Sequence, residues 1–330
     1  MQCRPVMLAL LLIASGSVHA QTVDECGVRR AIVNVLDAHG MPVPYFTKND
    51  FKASARGKLV NIAWSQHRYD PRVRTTVLLD VSGSMNGSGE GVSNKWKIAR
   101  AAALEFVSLA STQERVSLMP FASGGGRTFQ TLNDRHSVET WLNSPAVREA
   151  REVKGITPLY DAIRTALKNL EPAEPGDAIY VITDGGDNAS KARMSELERS
   201  LENSGVRLFA FLLNSPMTEE ERSTTHDLYE LTHRSGGFLV SVGRQSSFDP
   251  LASFDFGEHM SQVIQDSSWM LQAQISSYYA MGLQFPDGRG ALEPWKLDIV
   301  DRQGRKRKDI AMAYPHEVAR AVCASQSAHP

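Results

Sequence analysis

The chain has 330 residues, of which 42% are apolar and 22% charged, and its formal net charge is −1. This balance belongs to a globular chain rather than a disordered one, and the length allows two ordinary domains or one large domain with additions. The near-neutral charge excludes the basic surplus of a nucleic-acid-binding protein. The single basic cluster, RQGRKRKD (Arg302 to Asp309), lies between two strand-like runs and reads as a solvated hairpin turn.

The first twenty residues carry one early positive charge (Arg4), an apolar stretch from Val6 to Ala14, and the small-residue pattern Val18-His19-Ala20. This is the pattern of a cleavable secretory signal peptide, 1–20. The apolar stretch is too short for a stable bilayer anchor. A periplasmic or extracellular location is therefore expected. Cys3 falls within the removed piece, leaving Cys26 and Cys323. In an oxidising compartment such a pair predicts one disulfide joining the two ends.

Residues 21–72 read as a β segment. VRRAIVNV alternates apolar positions, a turn follows at Asp37 to Gly40, and a second short run comes after it. DFKASARGKLVNIAWSQH holds two further strands around an Arg56-Gly57-Lys58 turn. At Thr75 the texture changes. TTVLLD is a continuous apolar run, as in a strand buried on both faces of a parallel sheet. From there strand and helix alternate. A helix covers Asn94 to Ser111, a strand Arg115 to Ser123, and a short helix Ser137 to Leu142. A helix follows Thr157, with Pro158 in its first turn, where a missing N–H is harmless. The strand DAIYVITD, a helix near Lys191 to Asn203, the strand VRLFAFLLN and a helix ending at Gly236-Gly237 come next. The strand GFLVSV and a last helix to Gln272 complete the alternation. This pattern predicts an α/β fold over 73–272, a doubly wound, largely parallel sheet. Residues 273–330 return to β with SSYYAMGLQF, PWKLDIVD and KDIAMAY. The two outer segments, 21–72 and 273–330, are expected to form one flanking β module.

Open α/β sheets bind ligands at the carboxyl ends of their strands. Three such ends carry oxygen side chains: Asp80, Ser82 and Ser84 after TTVLL, Thr157 before a helix, and Asp184 after AIYVIT. A phosphate loop needs G-x-x-x-x-G-K-S/T, and GSMNGSGEGVS has the glycines but no Gly-Lys pair. A nucleophile elbow needs G-x-S-x-G, which is missing too. Hydroxyl and carboxylate oxygens do suit a hard divalent cation. Alternate residues of an extended segment project the same way, so Asp80, Ser82 and Ser84 can converge.

Asp80-x-Ser82-x-Ser84, followed by Thr157 and Asp184, resembles the metal-ion-dependent adhesion site of the von Willebrand factor type A domain family. DVSGSM, GITPLYDA and ITDGGDN carry that resemblance together. It implies a Rossmann-like fold with Ser82 and Ser84 as direct ligands. Thr157 and Asp184 would bind directly or through water, and Asp80 would act mostly through water while orienting the serine hydroxyls. The implied ion is Mg2+, with Mn2+ or Ca2+ as alternatives. The implied partner is a protein offering an Asp or Glu. The flanking segments are similar to those of a bacterial secreted subgroup, which has a D-x-x-G-x-P-V…DF pattern before the domain and a YY-x-x-G strand after it.

Two acids near the site are weaker candidates. Asp161 is either an acceptor orienting the Thr157 loop or an ordinary first-turn acid. Asp187 reads either as a neighbour of the site or as a helix-entry cap. The function expected is a non-enzymatic, metal-dependent protein-binding module. Its rivals are a module with a purely stabilising ion and a metal-dependent hydrolase, which would need a general base beside the ion.

Overall fold

Seven-residue strand β4 (Arg74–Asp80) is buried over its last six positions, and its neighbours explain why. In the computed structural model, which describes residues 27–86, 95–124, 130–214, 219–243, 253–254, 259–286 and 292–319, β4 lies inside a six-stranded parallel sheet. The strand order is β5-β4-β6-β7-β8-β9, with β5 Arg115–Phe121, β6 Ala178–Thr183, β7 Arg207–Asn214, β8 Leu239–Gly243 and β9 Ser253–Phe254. The expected signal peptide, Cys26 and Cys323 lie outside the described residues.

Side chains alternate across this sheet with a period of two. Val77, Leu79, Tyr180, Ile182, Phe209 and Phe211 pack on one face with helices α1 (Lys95–Leu109), α2 (Arg135–Asn143) and α7 (Met260–Ser276). Leu78, Ile179, Val181, Leu208, Ala210 and Leu212 pack on the other with α4 (Leu159–Asn169), α5 (Met194–Ser204) and α6 (Glu219–Arg234). Both faces are covered, so the strands lack polar alternation, as the apolar runs predict. A four-residue helix α3 (Pro145–Arg148) follows α2, with Ser144 capping it. Pro158 stands one position before α4 rather than inside its first turn, and its carbonyl accepts from Ala162 N–H.

The two chain ends build a second, antiparallel sheet in the order β12-β2-β3-β10-β1-β13. Its strands are β1 Arg29–Leu36, β2 Phe51–Ala55, β3 Lys58–Tyr69, β10 Ser277–Gln284, β12 Lys296–Ile299 and β13 Ala311–Ala313. Val33, Val35, Phe51, Tyr279, Met281, Trp295 and Leu297 form its core. A separate pair, β11 (Leu292–Pro294) and β14 (Glu317–Ala319), lies beside it. The basic cluster does form a tight turn, bridged at Val300 and Lys306, with Asp301 accepting from Gln303 and Arg305 N–H. The strands on either side of it pair elsewhere: β12 joins β2, and β13 joins β1.

Helix α7 runs four residues beyond the expected Gln272 and passes into β10 without a loop. A helix end left bare exposes unpaired carbonyls. Here Arg207, at the start of β7, supplies the missing donors. Its buried guanidinium donates to Gln274 O at 3.0 Å and to Ile275 O at 2.8 Å. It also donates to Gly176 O at 2.9 Å and to Asn34 Oδ1 on β1 at 2.9 Å. Asn34 Nδ2 returns a bond to Gln274 O at 2.7 Å. The cation faces the negative end of the α7 dipole and sits 4.9 Å from the Tyr278 ring centroid. Burial pulls its pKa down to about 10, which still leaves it charged at neutral pH. Among the described residues, no helix is long and apolar enough to cross a membrane.

Replacing Arg207 with Met removes four hydrogen bonds and takes the guanidinium donor from the Gly176 and Ile275 carbonyls and from Asn34 Oδ1. Urea denaturation is expected to show a loss on the order of 3 kcal/mol. Glu114, just before β5, gives a pH test. Burial pushes its carboxyl up to about 7, although Thr75 Oγ1 donates to it at 2.9 Å. The folded state therefore holds a proton that the unfolded glutamate, near 4.5, has already released. Glu114 thus makes stability fall as pH rises from about 4.5 to about 7. Glu114→Gln should match wild type near pH 4 and exceed its stability above pH 8, by on the order of 3 kcal/mol. Denaturation midpoints across that range read the difference.

Candidate metal centre

The parallel sheet reverses its winding between β4 and β6, because β5 lies on the far side of β4. Crevices form at the carboxyl ends of strands that flank such a reversal. Asp80 ends β4, and Thr183 and Asp184 stand where β6 ends, one strand spacing away.

Hydrogen bonds stitch three loops together at this point. The loop after β4 joins the 153–158 segment through Lys154 N–H to Val81 O (2.8 Å), Gly83 N–H to Gly155 O (2.9 Å) and Asn86 Nδ2 to Val153 O (2.8 Å). The loop after β6 joins the same segment through Asn188. Its side-chain oxygen accepts from Thr157 N–H at 2.8 Å, and its N–H donates to Thr157 O at 3.0 Å. This clamp uses only the Thr157 backbone. On the β5 side, Ser123 and Ile156 exchange backbone bonds of 2.8 and 2.9 Å. Gly155 makes that approach possible. Its φ is +103°, and a Cβ there would lie 2.3 Å from Ser123 O.

Within the crevice, Asp80 is fully buried and both its oxygens are engaged. Ser82 N–H donates to Oδ1 at 2.8 Å, and the Thr183 hydroxyl donates to Oδ2 at 2.7 Å. Burial, and after it the nearby Asp184 charge, holds the Asp80 carboxyl well above the ordinary carboxylate range. The Ser82 and Ser84 hydroxyls lie 3.0 Å apart, Ser82 buried and Ser84 exposed. Thr157 and Asp184 are buried, and Asp184 Oδ2 accepts from Lys95 Nζ at 2.8 Å. Hydroxyl and carboxylate oxygens thus stand together at the carboxyl end of β4 and β6, with Ser84 exposed. Among the described residues no group of three or more His, Cys, Asp or Glu side chains could hold a metal ion. A hard cation is the ion class that fits such an oxygen set.

The two weaker candidates have local tasks. Asp161 accepts from Lys191 and Ala192 N–H at 2.9 and 3.0 Å and from Arg164, fixing the segment before α5. Its carboxylate makes no bond to the Thr157 backbone. Asp187 accepts from Ser190 Oγ at 2.6 Å and lies near the start of α4, where the Leu159 and Tyr160 N–H groups favour its ionised form. Burial raises its pKa. Three residues of the site escaped the sequence reading: Thr183, Asn188 and Lys95. Lys95 did leave a signal. A cation near a helix start opposes the macrodipole, so a buried one there needs a partner.

A family model described as von Willebrand factor type A domain matches residues 75–186, from β4 through the loop after β6. The parallel sheet and its helices have that Rossmann-like fold. Similar solved structures include an aerotolerance-related membrane protein from Bacteroides fragilis with multiple mutations to serines. It is 17% identical, with 62% of this chain and 98% of that one covered and a TM-score of 0.43. A von Willebrand factor type A structure from Catenulispora acidiphila is 10% identical, covering 88% of this chain and 74% of that one, with a TM-score of 0.45. Proximal thread matrix protein 1 from the mussel byssus, with a zinc-occupied adhesion-site motif, is 14% identical, covering 66% and 49%, with a TM-score of 0.42. No curated protein matches the chain.

Gly155→Ala is expected to strain the loop twice, through its positive φ and through the clash with Ser123 O. A loss of about 1–3 kcal/mol should follow, read by thermal denaturation. Faster amide exchange at Ile156 and Thr157 should accompany it.

Proposed function

We propose that this chain is a secreted, metal-dependent protein-binding module that captures an Asp or Glu side chain of a partner protein. The observation that carries the reading is the oxygen set at the switch point, where the paired hydroxyls of buried Ser82 and exposed Ser84 stand with two buried carboxylates. In this reading Ser82 and Ser84 hold a divalent ion directly. Thr157 and Asp184 complete its protein side, directly or through water. Asp80, with both oxygens bonded within the protein, orients the Ser82 segment and acts on the ion at a distance. The bound ion supplies an electrophilic position for an outside carboxylate. Mg2+ is the first choice on donor chemistry, with Mn2+ and Ca2+ as alternatives.

The rim supports a protein partner. Ile156, next to Thr157, is 50% exposed and offers an apolar contact beside the ion. A lone carboxylate–metal bond says little about which partner is chosen, so such contacts provide selectivity. The role is one of binding rather than catalysis. We place the protein in the periplasm or outside the cell, with residues 1–20 removed and Cys26 bonded to Cys323. The binding domain spans 73–272 between its flanking β segments.

Two measurements test the reading. Mg2+ titration by calorimetry should give binding that Ser84→Ala weakens by about tenfold or more, one ligand being lost. Ser84 is exposed, so that variant should keep its fold. Pull-down from a periplasmic extract should retain a partner with Mg2+ and release it with EDTA. Capture indifferent to both EDTA and Ser84→Ala would sink the metal-bridged reading.

A further inference from the structure

Lys95 lies beside the site but belongs to none of its three loops. It is only 8% exposed, sits at the described start of α1, and bonds Asp184 Oδ2 at 2.8 Å. Burial and the helix dipole both disfavour a cation there. Asp184 is the described partner that compensates both. The ammonium takes one oxygen of one carboxylate. It makes no described bond to Asp80, Ser82 or Ser84, whose oxygens bond one another and Thr183 instead.

We propose that Lys95 is a positioning residue that keeps the ion electron-poor, so that an outside carboxylate is needed to balance the site. The inference rests on the metal-binding reading above, and charge counting carries it. A bound divalent ion favours the ionised form of the carboxyls beside it, so with the ion present Asp80 and Asp184 bring two negative charges to the crevice, and Lys95 returns one positive charge. A divalent ion added to that cluster leaves it with one net positive charge, which a single Asp or Glu of the partner neutralises. Without Lys95 the same ion would already be neutralised by the protein's own two acids. Its attraction for an outside anion would then be weaker, and its attraction to the protein stronger. Lys95 thus exchanges affinity for the metal against affinity for the ligand. Because buried charges interact at low effective dielectric, the effect is large for groups this close. The ion pair also fixes one Asp184 rotamer, leaving Oδ1 outside the pair.

The test is Mg2+ calorimetry on wild type, Lys95→Met, Lys95→Arg and Ser84→Ala, each with and without acetate as the carboxylate probe. Acetate and Mg2+ must strengthen each other's binding equally if they meet at one site. Wild type should show this mutual strengthening. Lys95→Met should bind Mg2+ tighter by about tenfold or more and lose most of the acetate effect. Lys95→Arg, which keeps the charge, should behave as wild type. A merely structural lysine would lower the melting temperature of Lys95→Met while leaving both binding quantities as in wild type, and that outcome overturns the proposal. If Lys95→Met does not fold, Lys95→Gln keeps a hydrogen-bond donor without the charge and reads the same quantities. Unchanged or weaker Mg2+ binding in the neutral variants, with Ser84→Ala still impaired, overturns the role of Lys95 and leaves the metal reading standing. Binding by neither wild type nor the neutral variants overturns both. Binding by the neutral variants alone would mean that the ammonium stands in for the ion, and this too overturns the proposal.

Discussion

The buried guanidinium of Arg207 is the interaction on which the two-part architecture depends. It begins β7, closes the last turn of α7, and reaches Asn34 on the first strand of the chain. Three segments distant in sequence meet on one side chain. A buried cation without a carboxylate bonded to it is usually unfavourable. Here backbone carbonyls, a helix terminus and the Tyr278 ring replace the solvent it lost. Arginine suits this place because its planar fork serves several acceptors in fixed directions.

That arrangement marks a limit of sequence reading. The strands of the parallel sheet were legible because burial on both faces writes an unbroken apolar run, as in Val77, Leu78 and Leu79. The end of α7 was not. Helix ends announce themselves through local caps, typically a glycine or asparagine. This one is closed by Arg207, 67 residues upstream of Gln274. For the same reason the basic turn reads well locally, while the pairing of β12 and β13 with β2 and β1 leaves no local trace.

The site divides along similar lines. Asp80, Ser82, Ser84, Thr157 and Asp184 are visible because a recurrent pattern joins them at the ends of strands. Thr183 and Asn188 stand inside ITDGGDN without a ligand's role in the pattern, Lys95 stands outside it, and each acts on a residue at least 30 positions away. The oxygen-bearing residues are held by partners that only the fold reveals. Asn188 grips a backbone, Thr183 anchors a buried carboxylate, and Gly155 allows two loops to approach. Asp161 and Asp187 show the converse. They are acids near the crevice in sequence whose bonds serve the 190–192 segment before α5.

Helix α7 enters the antiparallel sheet at the amino end of the parallel strands, where Arg207 stands, while the crevice lies at their carboxyl end. A strand of this length separates the two by roughly 20 Å. The flanking β module is therefore a pedestal. It grips the domain from beneath, at the end of the strands away from the crevice. In the proposed binding role, tension applied at the crevice would run lengthwise along the central strands. It would then pass into the pedestal through a junction with no slack, because α7 ends at Ser276 and β10 begins at Ser277.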